Sequence, residues 1–269
     1  MQFTNFHYSV ENGVATIMLC RPEKLNALTV HIWDEMEQAV DQSLADPEVH
    51  SILLCGEGKA FCAGFDLEMS TKDGHGEVWG QWDGLQAQRA QMMKLWDSPK
   101  PIVAAVQGYC LGGGYELMSL ADLVIAADDA VFGETEMRYS LMPQPNTLWL
   151  CGLRHAKEIM MLAEKFGAEE AYRIGLVNRV VPREDMMKEA RRIAEKLARM
   201  PGETMRMTKR VINKALDAQG YRQMGDWGWD LFLLSKLMVT ELRKEFDEIG
   251  QTQGMKAAFK WMNEHFDVK

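Results

Sequence analysis

Three consecutive glycines, Gly112-Gly113-Gly114, stand at the end of the apolar run 102–106 and open a helix-like segment carrying one carboxylate, Glu116. Without Cβ atoms the main chain there can approach a ligand or another strand closely. A strand, a glycine turn and a helix start gather free N–H groups at one point, with an acid one turn further in. A second glycine loop, Ala63-Gly64-Phe65-Asp66, follows the apolar run 51–55. If the two strands are neighbours, both loops emerge at one sheet edge, where α/β folds bind ligands. Two N–H groups aimed at one spot would hold a developing oxyanion, each donor contributing about 2.7–4 kcal/mol to the transition state.

Carboxylates are the candidate acid–base groups. Burial at an apolar helix start would raise the pKa of Glu116, and nearby N–H donors would lower it. Glu136 lies in an irregular stretch, 132–138, with Glu134 and Arg138 beside it. Two glutamates can divide acid and base work when their surroundings separate their pKa values. Each alone reads as a structural or solvated residue. Arg138 could pair with Glu134 or Glu136, and beside Glu136 it would depress the pKa and favour the base form.

Other chemistries lack their residues. Neither glycine loop has a dinucleotide fingerprint, and no phosphate-loop ending follows. No nucleophile elbow of the Gly-x-Ser-x-Gly type is present. No His-Glu-x-x-His or cysteine cluster suggests a metal. Cys62 reads as packing, and the six histidines, His155 among them, carry no recognisable spacing. Trp79, Trp82 and Trp96 read as core packing.

The elements that would position these groups follow from the pattern. Residues 6–10 and 14–19 alternate around a glycine turn, as a hairpin does. Residues 21–28 break the pattern, and Thr29 can cap a helix through about 45. The runs 51–55 and 123–127 are fully apolar, as expected of strands covered on both faces. Residues 70–80 are polar and glycine-bearing, a candidate mobile loop, and 82–96 suits a helix. Strands and helices alternate to about 143, which favours α/β layering. Helices then dominate, at 156–164, 168–175, 184–200, 204–218, about 231–249 and 256–266, with one short strand at 177–181.

Bulk properties set the class. A chain of 269 residues, 47% hydrophobic and 26% charged, suits one large globular core with a smaller appendage. A net charge of -9 and pI near 5.3 argue against a nucleic-acid surface. No apolar run approaches a membrane span, and the first residues lack a signal-peptide pattern. Five scattered cysteines read as reduced thiols, so a cytoplasmic location is expected.

Together the segments 21–28, 58–67 and 100–117 closely resemble the crotonase, or enoyl-CoA hydratase/isomerase, superfamily, and 132–136 and 168–178 extend the match over nearly the whole chain. The resemblance implies a spiral of ββα units in residues 1–200, holding the active site, with a helical trimerisation region in 201–269. It implies a homotrimer or a dimer of trimers, and a coenzyme A thioester as substrate with no separate cofactor. By position the oxyanion donors would be the backbone N–H groups of Phe65 and Gly113. Glu116 and Glu136 match the two glutamates that hold water in hydratases, whereas isomerases often keep only the second. Lys24, Leu25, Ala63, Asp66 and Leu67 match positions lining the coenzyme A moiety. Water addition to a 2-enoyl-CoA, or its reverse, is therefore the leading expectation. Isomerisation, or hydrolysis of a bulky or cyclic acyl-CoA, is the alternative; an RNA-binding or scaffold role fits poorly with the acidic charge. Two departures stand out: Phe65 occupies a position where a small residue is common, and 143–147 lacks the usual glycine-rich text beside the acyl pocket.

Overall fold

A computed structural model describes residues 3–29, 31–66 and 78–266. Asn12 and Gly13, both at positive φ, turn β1 (Phe6–Glu11) back on β2 (Val14–Leu19) as an antiparallel hairpin. From β2 the sheet continues in parallel through β3 (Ser51–Gly56), β4 (Ile102–Val106), β6 (Leu123–Ala127) and β9 (Arg179–Val181). Both faces are covered, as the unbroken apolar runs predict. Leu53, Cys55, Val103, Ala105 and Ile125 pack against α7 (Met186–Ala198), while Ile52, Leu54, Ala104, Val106 and Val124 face the main core.

A second sheet holds β5 (Tyr109–Leu111), β7 (Val131–Gly133) and β8 (Phe166–Gly167). This corrects the simple reading in which the strand at 102–106 runs into the glycines. The chain turns at Gly108, φ 51°, where an added Cβ would lie 1.9 Å from the Lys59 carbonyl oxygen. The glycines thus follow β5 and open α3 (Gly113–Ser119).

The other helices are α1 (Ile32–Ala45), α2 (Val78–Trp96), α4 (Thr147–Cys151), α5 (Leu153–Leu162) and α6 (Ala168–Arg173). Beyond α7 come α8 (Gly202–Ala218), α9 (Tyr221–Leu237), α10 (Glu241–Gln253) and α11 (Met255–Phe266). Thr29 meets α1 through its carbonyl oxygen, which accepts from the Ile32 N–H, and not through the side-chain cap expected of it. The helix read at 231–249 is two helices: Thr240 breaks it and caps α10, its Oγ1 accepting from the Arg243 N–H at 3.2 Å. Most of the polar loop at 70–80 lies outside the described residues, and α2 begins at Val78.

Core packing holds for Trp96, buried and stacked on Tyr221 with ring centroids 4.4 Å apart. It fails for its neighbours: Trp79 is 73% and Trp82 37% exposed, the latter donating from Nε1 to Asp230. They fall on the outer side of α2, which carries apolar residues on more than one face.

Candidate active site

Two loops are tied together at one end of a cavity of about 1140 Å³. Leu25 and Asn26 both adopt left-handed backbone, which turns the 21–28 loop tightly. The fully buried Asn26 then fastens it: Oδ1 accepts from the Arg21 N–H, and Nδ2 donates to the carbonyls of Glu57 and Ala60 at 2.9 and 2.8 Å. Backbone bonds complete the join, from Leu28 to Gly64, from Ala63 to Leu25 and from Asp66 to Leu28. Lys24, Leu25, Ala63 and Asp66 all line the cavity. The Asp66 carboxylate also pairs with Arg21 at 3.2 Å, so it braces the loop wall. Leu67 lies outside the described residues.

Each of the three glycines answers to a different neighbour. A Cβ on Gly112, at φ 52°, would sit 2.7 Å from Glu136 Oε1. On Gly113 it would sit 2.6 Å from Cε2 of Phe65, and on Gly114 2.3 Å from the Cys62 carbonyl oxygen. The Phe65 ring therefore lies across Gly113 and shapes the cavity wall. The N–H groups of Phe65 and Gly113 donate to no carbonyl among the described loop bonds, and both residues line the cavity. The two loops meet through β5 rather than through β4: the Cys62 N–H donates to the Tyr109 carbonyl and the Leu111 N–H to the Cys62 carbonyl.

Behind the glycines lie three acids. Carboxyl oxygens of Glu116, Glu134 and Glu136 all fall within 4.8 Å of one another, and among the described residues no histidine or cysteine joins them. Burial pushes the Glu116 carboxyl up to about 8, with the charge of Glu136 adding to it. Burial likewise pushes Glu136 up to about 7, against the lowering effect of its own N–H and of Glu134. Glu134 is raised well above the ordinary carboxyl range, by burial and by both other acids. Its Oε1 accepts from Thr147 Oγ1 at 3.2 Å, and Thr147 in turn reaches the Tyr115 hydroxyl at 3.4 Å.

Arg138 does not do what its position beside Glu136 suggested. Its Nε donates to the Ala163 carbonyl at 2.7 Å, and its guanidinium lies over the Phe266 ring. Glu136 is consequently raised rather than depressed. Cys62 is packing, fully buried with its thiol pushed up to about 12.

Sequence reasoning missed the rest of the wall. Leu85 and Gln88 of α2, and Trp229 and Phe232 of α9, line the cavity with residues of α10 and α11. Their helical periodicity was legible, but no local signal says which helix closes over the glycine loops.

With this geometry in place, the comparisons define the class. The enoyl-CoA hydratase/isomerase family model matches residues 9–246, and the chain belongs to that family. The chain is 34% identical over 217 residues to the probable enoyl-CoA hydratase echA8 of Mycobacterium bovis, covering 77% of this chain and 80% of that one. It is 32% identical over 225 residues to the short-chain-enoyl-CoA hydratase of Clostridium acetobutylicum, covering 80% and 84%. An enoyl-CoA hydratase/isomerase from Xanthobacter autotrophicus Py2 superposes with a TM-score of 0.95 at 33% identity, over 99% of this chain and all of that one. The fold is the crotonase spiral expected above, and the protein is an enoyl-CoA hydratase-like enzyme. Among the described residues no helix is long and apolar enough to cross a membrane.

Proposed function

We propose that this enzyme adds water across the double bond of a 2-enoyl-CoA, or removes it in reverse. The observation that carries the reading is one cavity lined by Phe65, Gly113, Glu116 and Glu136, with both acids buried against the glycine turn. The thioester carbonyl accepts from the N–H groups of Phe65 and Gly113, which stabilise the enolate oxygen as charge moves onto it. Glu116, the more strongly raised of the pair, holds the water as a neutral carboxyl. The ionised Glu136 takes a proton from that water as its oxygen bonds to Cβ, and returns the proton to Cα on the same face. One water is consumed, one double bond is lost, and both acids end as they began.

Lys24, Leu25, Ala63 and Asp66 flank the coenzyme A moiety, and no further cofactor takes part. The setting is cytoplasmic, with no nucleic-acid or membrane partner. Residues 1–200 form the ββα core and 201–269 the helical region through which a homotrimer or dimer of trimers assembles. Exposed apolar residues on α8 (Met207, Val211, Ile212) and α9 (Trp227, Leu231, Leu234) support that assembly.

A panel of straight, branched and cyclic 2-enoyl-CoAs with product mass analysis tests the reaction. A product heavier by one water is expected. A product of unchanged mass would assign double-bond isomerisation, and free coenzyme A would assign hydrolysis.

A further inference from the structure

Glu134 is the acid that the proposed reaction leaves unused. It is 1% exposed and is absent from the wall of the cavity that Glu116 and Glu136 line. Such a carboxyl is costly to bury unless it is neutral and hydrogen-bonded. The groups facing it are Glu136 on its own segment, Glu116 and Tyr115 on α3, Cys110 on β5 and Thr147 on α4. None is a cation. Tyr115 and Cys110 are themselves held neutral by burial. Thr147 Oγ1 donates to Glu134 Oε1, while Oε2 of Glu134 and Oε2 of Glu136 are both buried with no partner among the described residues, in a cluster whose carboxyl oxygens lie within 4.8 Å of one another.

We infer that Glu134 is a positioning residue: a permanently neutral carboxyl, aligned by Thr147, that donates a hydrogen bond to Glu136 and keeps it the ionised member of the trio. The donated bond holds one oxygen of Glu136 and leaves the other to face the water. It also stabilises the carboxylate within a buried cluster where like charges would otherwise force protonation. Glu134 takes no part in bond making. The inference rests on the hydratase reading for its kinetic consequence, and on the trio's geometry alone for its protonation.

Two variants and two readouts test it. In Glu134→Gln the amide keeps both contacts, accepting from Thr147 and donating to Glu136. The acid limb of kcat/KM should then stay within about half a pH unit of wild type. In Glu134→Leu the donor is gone, so kcat should fall about 10- to 100-fold with KM little changed, and the acid limb should move to higher pH. A large downward move of the limb in Glu134→Gln would mean that a negative charge had been removed, and would overturn the inference. So would a Glu134→Leu variant whose limb does not move. Infrared difference spectra of wild type against Glu134→Gln at neutral pH need no turnover. Loss of a protonated-carboxyl C=O band is expected, and loss of a carboxylate band instead would contradict the assignment. Absence of hydration by wild type on every enoyl-CoA would count against the proposed reaction and leave the infrared test standing.

Discussion

Gly112 and Glu136 are in contact through a missing side chain: a Cβ on Gly112 would lie 2.7 Å from Glu136 Oε1. The glycine turn therefore makes room for the second acid as well as for a ligand. Gly112→Ala combines that clash with a left-handed φ, so kcat should fall by roughly 100-fold or more while the fold survives. Gly114→Ala meets a carbonyl oxygen at 2.3 Å that cannot swing away, so its main loss should be stability, about 1–3 kcal/mol. Steady-state kinetics and denaturant titration of the two variants separate these outcomes.

The buried acids give stability a sign. Glu116 is raised to about 8 from an ordinary 4.5, so the folded state binds this proton more tightly than the unfolded chain. The stability linked to that proton is fully present below about 4.5 and is lost as pH rises through about 8. Glu116→Gln stays neutral throughout. Its Tm advantage over wild type should widen across that interval in thermal melts, and a constant difference would contradict the assignment.

Asn26 makes three hydrogen bonds, one to Arg21 within the 21–28 loop and two that tie it to the carbonyls of Glu57 and Ala60, just before the Ala63–Asp66 loop. Asn26→Leu leaves two carbonyls and one N–H buried without their partner. Each such loss costs about 1–3 kcal/mol. The midpoint of urea unfolding should fall clearly, and activity should drop with it because the Phe65 N–H loses its register.

Much of this arrangement was legible beforehand. The apolar runs at 51–55 and 102–106 identified neighbouring strands covered on both faces, though the two glycine loops meet through β5. Glu116 and Glu136 were named as a pair from position and resemblance. The role of Arg138 was misread because adjacency in sequence does not fix direction: a short 3-10 turn at 136–139 sends its side chain to the Ala163 carbonyl instead. Gly108 hid the break between β4 and β5, since nothing in the text shows that Lys59 lies against it. The surroundings of Glu134 were hidden for a similar reason. Its partner Thr147 comes from a helix too short for periodicity to reveal.

The exposed residues on α8 and α9 bear on assembly. Leu231→Asp and Val211→Asp should convert a trimer or hexamer to smaller species by light scattering after size-exclusion chromatography. A monomeric wild type would remove the proposed assembly.

The most direct measurement is hydration of a short 2-enoyl-CoA by wild type, Glu116→Gln and Glu136→Gln, followed by loss of the enoyl absorbance. The two-glutamate mechanism predicts turnover by wild type and a fall of roughly 100-fold or more in kcat for each variant, with binding of the coenzyme A ester retained. Full activity in either variant would contradict it.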